Sequence, residues 1–114
     1  MKVLLIALCL VSFTLSLNEK KLKTKTQQRN PYPYISSVNT GRSISINFYN
    51  SQNYSVRIYW VDFRGNLVFY RSLSSGHSYH VNSNFRHAWV WISYSGFPHG
   101  YYIATSSRHQ TYRI

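Results

Sequence analysis

Between Ser43 and Asn50, Ile44, Ile46 and Phe48 alternate with Ser45, Asn47 and Tyr49. Successive side chains of a strand point to opposite faces, so this alternation predicts a half-buried strand. The pattern recurs along the chain. Ser55–Asp62 sets Val56, Ile58 and Trp60 on one face and Arg57, Tyr59 and Val61 on the other. Phe63-Arg64-Gly65-Asn66 predicts a turn, with Gly65 able to take positive φ, and Leu67–Leu73 the return strand of a hairpin. Ser74-Ser75-Gly76 turns again, and His77–Ser83 predicts a fourth, more polar strand. His87–Ser95 predicts a fifth, apolar on both faces and therefore central. Gly96–Gly100 reads as a turn, with Tyr101–Thr105 and Thr111–Ile114 as the last strands. No segment carries an amphipathic helical stripe. Short strands between frequent turns predict an all-β fold of about seven strands, an antiparallel β-sandwich or a small barrel.

A chain of 114 residues has room for one domain. Its start reads differently from the rest. Val3–Leu17 is an apolar run, too short to span a bilayer well, with small polar residues at Thr14 and Ser16. It predicts a secretory signal peptide over residues 1–16 and hence a secreted, extracellular protein with no membrane span in the mature chain. Residues 17–33 read as a basic disordered arm or propeptide that ends in the extended Pro31-Tyr32-Pro33 lead-in. The sandwich domain is expected over 34–114. The one cysteine, Cys9, falls in the signal segment, so the domain has no disulfide to rely on. Packing of 11 Tyr, 6 Phe and 3 Trp must hold it together. Asn53-Tyr54-Ser55 is an N-glycosylation sequon in the turn after the first strand.

Chemistry concentrates in Tyr59–Trp91. His87, Trp89 and Trp91 alternate and so share one strand face, and Ser83 lies across the Asn84-Phe85-Arg86 turn from His87. Hairpin pairing about Arg64-Gly65 brings Trp60 opposite Leu67 to Phe69, close to Tyr70. Trp60, Tyr70, Ser83, His87 and Trp89 together suit an aromatic pocket with a two-point polar grip. Tertiary packing must bring the hairpin to His87.

With Phe48, Asn50, Val56, Gly65, Leu73 and Gly76, these five residues carry a resemblance to the beta domain of the von Hippel–Lindau tumour suppressor family. The match needs no gap between Trp60 and Trp89. The resemblance implies a prealbumin-like β-sandwich that binds a peptide containing 4-hydroxyproline. By position, Trp60, Tyr70 and Trp89 are implied as pocket walls, and Ser83 and His87 as the groups that hydrogen-bond the hydroxyl. The family's groove also uses a His before the pocket Ser and a Tyr after it; here Asn82 and Asn84 stand there. Nothing in Ser95–Ile114 looks like the helical segment with which the family's full-length member recruits a ubiquitin-ligase scaffold, so no such partner is expected.

Enzymatic chemistry is not expected. Asp62 is the only acid in the folded region, so no carboxylate pair exists, and no nucleophile-elbow glycines surround Ser83. No cofactor or metal is expected either: His77 and His80, three apart in a strand, face opposite ways. The alternative to peptide binding comes from charge. Thirteen Lys and Arg against two acids give +11, a field that favours a polyanion such as a sulfated glycan, or an anionic cell surface, as in a defence protein. Arg57 and Arg71, on outward faces of neighbouring strands, are the expected centre of such a patch.

Overall fold

The structure, a computed structural model, describes residues 28–114. The expected signal peptide (residues 1–16, with Cys9) and residues 17–27 of the basic arm lie outside the described residues.

Seven strands follow in order: β1 (Ser43–Tyr49), β2 (Val56–Val61), β3 (Leu67–Leu73), β4 (Ser78–Asn84), β5 (Ala88–Ser93), β6 (Pro98–Ile103) and β7 (His109–Arg113). They build a three-stranded sheet, β4-β1-β7, and a four-stranded sheet, β3-β2-β5-β6. Of the sandwich and the barrel that the alternation allows, the sandwich is thus the fold observed, with one departure. β1 and β7 run parallel, Ser45 opposite His109 and Tyr49 opposite Arg113. Two strand starts differ by two residues or more. The turn after β5 closes at Phe97, whose carbonyl accepts from Ser93 N–H, so β6 begins at Pro98 and not after Gly100. Proline is tolerated as the first residue of an edge strand, where its missing donor faces no partner. β7 begins at His109, two residues before the expected Thr111.

The alternating apolar residues meet where expected. Ile44, Ile46 and Phe48 of β1 and Val81 of β4 pack on Val56, Ile58, Leu73, Trp89 and Trp91 of the facing sheet. Aromatic rings fill the centre: Phe48 lies 5.6 Å from Trp89 and 6.3 Å from Trp91, and Trp91 lies 4.9 Å from Tyr112. Each fully buried apolar side chain contributes about 1.5–3 kcal/mol, and a well-disposed aromatic pair about 0.5–1.5 kcal/mol more. Such packing carries a domain that lacks disulfides.

β5 is buried along its whole length because both its faces are covered. Ala88, Val90 and Ile92 turn away from the sandwich into a second cluster with Tyr59, Val61 and Leu67, and Tyr32 and Ile35 pack onto it. The stretch before β1 is therefore part of the fold. Asn30 anchors it, donating to the Ile35 carbonyl at 3.1 Å and the Gly65 carbonyl at 3.0 Å. Ser37 then plugs the end of β2 and β5: its hydroxyl donates to the Val61 carbonyl and accepts from Ala88 N–H at 2.8 Å.

Candidate functional site

The site lies along the seam between the two edge strands β3 and β4. Trp60 of β2 pairs with Trp89 of β5, which places two indoles side by side on the inward face. Tyr70 joins them through a β-bulge. Ile58 opposes Arg71 and Tyr59 opposes Phe69, so Tyr70 is the extra residue of β3. A bulge redirects side chains, and this one brings the Tyr70 ring edge-on to Trp89 at 4.9 Å. It also carries Arg71 over the ring of Tyr79 on β4.

The same bulge overturns the expected basic patch. Arg57 opposes Ser72, whereas Arg71 opposes the inward-facing Ile58, so the two arginines leave opposite faces of the sheet. Each lies over a different tyrosine: Arg57 is 4.4 Å from the Tyr94 ring centre and Arg71 is 5.2 Å from that of Tyr79.

Ser83 and His87 are both buried, and each is held by an indole. Trp89 Nε1–H donates to Ser83 Oγ at 3.1 Å, and Trp60 Nε1–H donates to His87 Nδ1 at 3.1 Å. An indole nitrogen only donates, so Nδ1 must be the unprotonated nitrogen and Nε2 carries the proton. Burial pushes the His87 pKa below its ordinary value, which keeps the ring neutral. Every buried side-chain nitrogen or oxygen among the described residues has a partner, and none of these residues bonds His87 Nε2. That N–H therefore opens outward. The Ser83 O–H likewise has no acceptor among the described residues. The pair thus presents two free donors, one of which, the hydroxyl, can also rotate.

The backbone around His87 is pinned. Asn84 to His87 forms a tight turn closed by His87 N–H on the Asn84 carbonyl at 3.0 Å, with Arg86 at φ +67°. Arg86 N–H reaches the Ala104 carbonyl at 2.9 Å, and the His87 carbonyl accepts from Ala104 N–H at 2.9 Å. Val38 N–H holds the Arg86 carbonyl from the other side. A non-glycine residue in the left-handed region costs of order 1 kcal/mol and persists where neighbours over-determine it.

All five side chains read from the sequence are thus neighbours in one cluster. Their roles differ. Trp89 is only 1 % exposed and forms the floor, packed on Phe48 and holding Ser83. Tyr70, 44 % exposed, is an open wall, and Trp60 is half-buried. Phe63 supplies a further wall that the sequence reading passed over as a turn residue. Its ring is perpendicular to Trp60 at 5.5 Å and edge-on to His87 at 5.6 Å, and it is 50 % exposed. Asp62 plays no part in the chemistry here: its carboxylate accepts from Arg64 N–H and Asn66 N–H and shapes the turn that carries Phe63. Those bonds, the Asn66 one foremost, hold its pKa below the usual value.

Past Ser83 the outer edge of β4 has no strand beside it. A polar groove of about 530 Å³ lies over the same sheet, running from β4 across β1 to the start of β7, lined by Asn82, Ser83, Asn84, Ser45, Arg108 and His109.

These features define a class: an aromatic-cored β-sandwich with a polar-tipped aromatic ledge beside a free strand edge. A family model described as VHL beta domain matches residues 35–91, half of the chain, and the protein belongs to that family. The matched span runs from the segment before β1 into β5 and contains every residue of the ledge. No curated protein matches the chain.

Proposed function

We propose that the protein is a secreted, non-enzymatic binding module that recognises an extended peptide carrying hydroxyproline. The observation that carries this reading is the paired grip: two indoles hold Ser83 and His87 so that neither the Ser83 O–H nor the His87 Nε2–H has an acceptor among the described residues. A pyrrolidine ring packs on the faces of Tyr70, Trp60 and Phe63, and its hydroxyl oxygen accepts from both donors. An unmodified proline seated there would cover the donors without pairing them, at about 1–3 kcal/mol per group.

The free edge of β4 supports the extended form of the ligand. A strand added to a sheet edge gains affinity from main-chain hydrogen bonds, and pockets for alternate side chains give specificity. Asn82 and Asn84, either side of Ser83, offer further amide bonds along that edge.

Calorimetry with two peptides that differ only in proline or 4-hydroxyproline tests the reading. The hydroxylated peptide is expected to bind at least about 10-fold more tightly, and Ser83→Ala to remove most of that ratio. Equal affinities for the two peptides would refute hydroxyl recognition. A steep fall of binding with salt would favour the polyanion alternative instead.

A further inference from the structure

At the far end of β5 from His87, a second cleft of about 400 Å³ opens between the β1–β2 loop and the β5–β6 turn. Tyr54, Tyr94, Phe97 and His99 wall it, and Ser93 and Ser95 add hydroxyls. It is built by local devices. Trp91 opposes Gly100 and Ile92 opposes Pro98, so His99 is the extra residue of a bulge in β6. That bulge aims the imidazole at the loop, where Tyr54 Oη meets His99 Nδ1 at 3.0 Å and the two rings lie 4.9 Å apart. Phe97 stands beside them, 67 % exposed.

The loop itself is held from beneath. Asn50, fully buried, donates to the Tyr54 carbonyl at 2.8 Å and the Leu73 carbonyl at 3.0 Å, and accepts from Gln52 N–H at 3.0 Å. This ties down both flanks of Asn53, which is exposed and immediately precedes Tyr54 and Ser55, two residues that line the cleft. Asn53 is the acceptor of the Asn53-Tyr54-Ser55 sequon, and Tyr54 is a wall of the cleft.

We propose that Asn53 carries an N-linked glycan whose first sugar rings seat in this aromatic cleft. The inference rests on the secretory reading of the apolar N-terminal residues and is independent of peptide recognition. In the attachment step Asn53 Nδ2 bonds to C1 of the first sugar of a polyprenyl-diphosphate-linked oligosaccharide. The C1–O bond breaks, the diphosphate leaves with its electron pair, and the amide gives one N–H proton to a base of the transferase. The C–H faces of the sugar then lie on Tyr54 and Phe97, and its hydroxyls meet Ser93, Ser95 and the free nitrogen of His99.

The test uses the full chain produced in glycosylating eukaryotic cells, as wild type, Asn53→Gln and Phe97→Ser. Wild type recovered from the medium should carry added glycan mass that amidase treatment removes, leaving Asp at position 53, and Asn53→Gln should carry none. Glycan removal should lower the Tm of wild type by a few degrees and leave that of Phe97→Ser unchanged. A secreted chain with bare Asn53 overturns the attachment, and an unchanged wild-type Tm on glycan removal overturns the seat. A chain retained and unmodified overturns the inference together with secretion. Bacterially made protein still reports on the peptide site separately.

Discussion

His87 owes its chemistry to one bond from Trp60. Because Nδ1 accepts from the indole, protonating that nitrogen breaks the bond as well as charging a buried ring. The folded-state pKa is lowered, so neutral His87 contributes stability that is complete above the unfolded histidine value near 6.5. That contribution falls as pH drops from there through the folded-state value. In Trp60→Phe the ring stays apolar but the donor goes. An NMR titration of His87 should then show a higher pKa than wild type, and chemical denaturation a loss of about 1 kcal/mol. Ser37 makes a comparable prediction away from the site. Ser37→Ala strands the Ala88 N–H and the Val61 carbonyl, and should cost about 1–3 kcal/mol in a urea melt. Strand alternation groups His87 with Trp89 and hairpin pairing groups Trp60 with Tyr70, but only the family resemblance joins the two groups and gives Ser83 its role. Ser37 was illegible because its partner lies 51 positions away. Phe63 was illegible because a turn residue gives no hint of which way its ring folds back.

Two bulges do the positioning at the level of elements. The one in β3 sends Tyr70 to Trp89 and separates Arg71 from Arg57. The one in β6 aims His99 at Tyr54, and Gly100 follows it at φ +143°. A Cβ on Gly100 would meet the Trp91 ring at 3.0 Å. Gly100→Ala should therefore cost about 1–3 kcal/mol, read as a lower thermal midpoint, since both backbone strain and overpacking oppose it. Arg86→Gly should do the reverse. It relieves a left-handed residue in the turn before His87 and should raise stability by up to about 1 kcal/mol. Alternation alone located the strands but not the bulges: an inserted residue shifts the period by one, which reads the same as an ordinary exposed position. This is why Arg71 was assigned to the wrong face. The parallel pairing of β1 with β7 was hidden for another reason. Strand partners so distant in sequence are chosen by the whole sandwich, not by any local pattern.

Across the whole molecule, stability without disulfides rests on the aromatic centre. Phe48 is fully buried and touches Trp89, Trp91 and Tyr102. Phe48→Ala should cost about 3–5 kcal/mol, and circular dichroism after heating would reveal a large drop in Tm. The same centre links stability to recognition, because Trp89 packs on Phe48 with its ring and grips Ser83 with its nitrogen. The free edge of β4 borders that seam. The most direct measurement follows the three indole N–H signals by NMR while a hydroxyproline peptide is titrated in. Those of Trp60 and Trp89, which hold His87 and Ser83, should shift together, and that of Trp91 should stay in place. The matched proline peptide should move neither pair member appreciably. Identical shifts with both peptides, or no shift at Trp60 and Trp89 under saturating ligand, would contradict a hydroxyl-reading ledge.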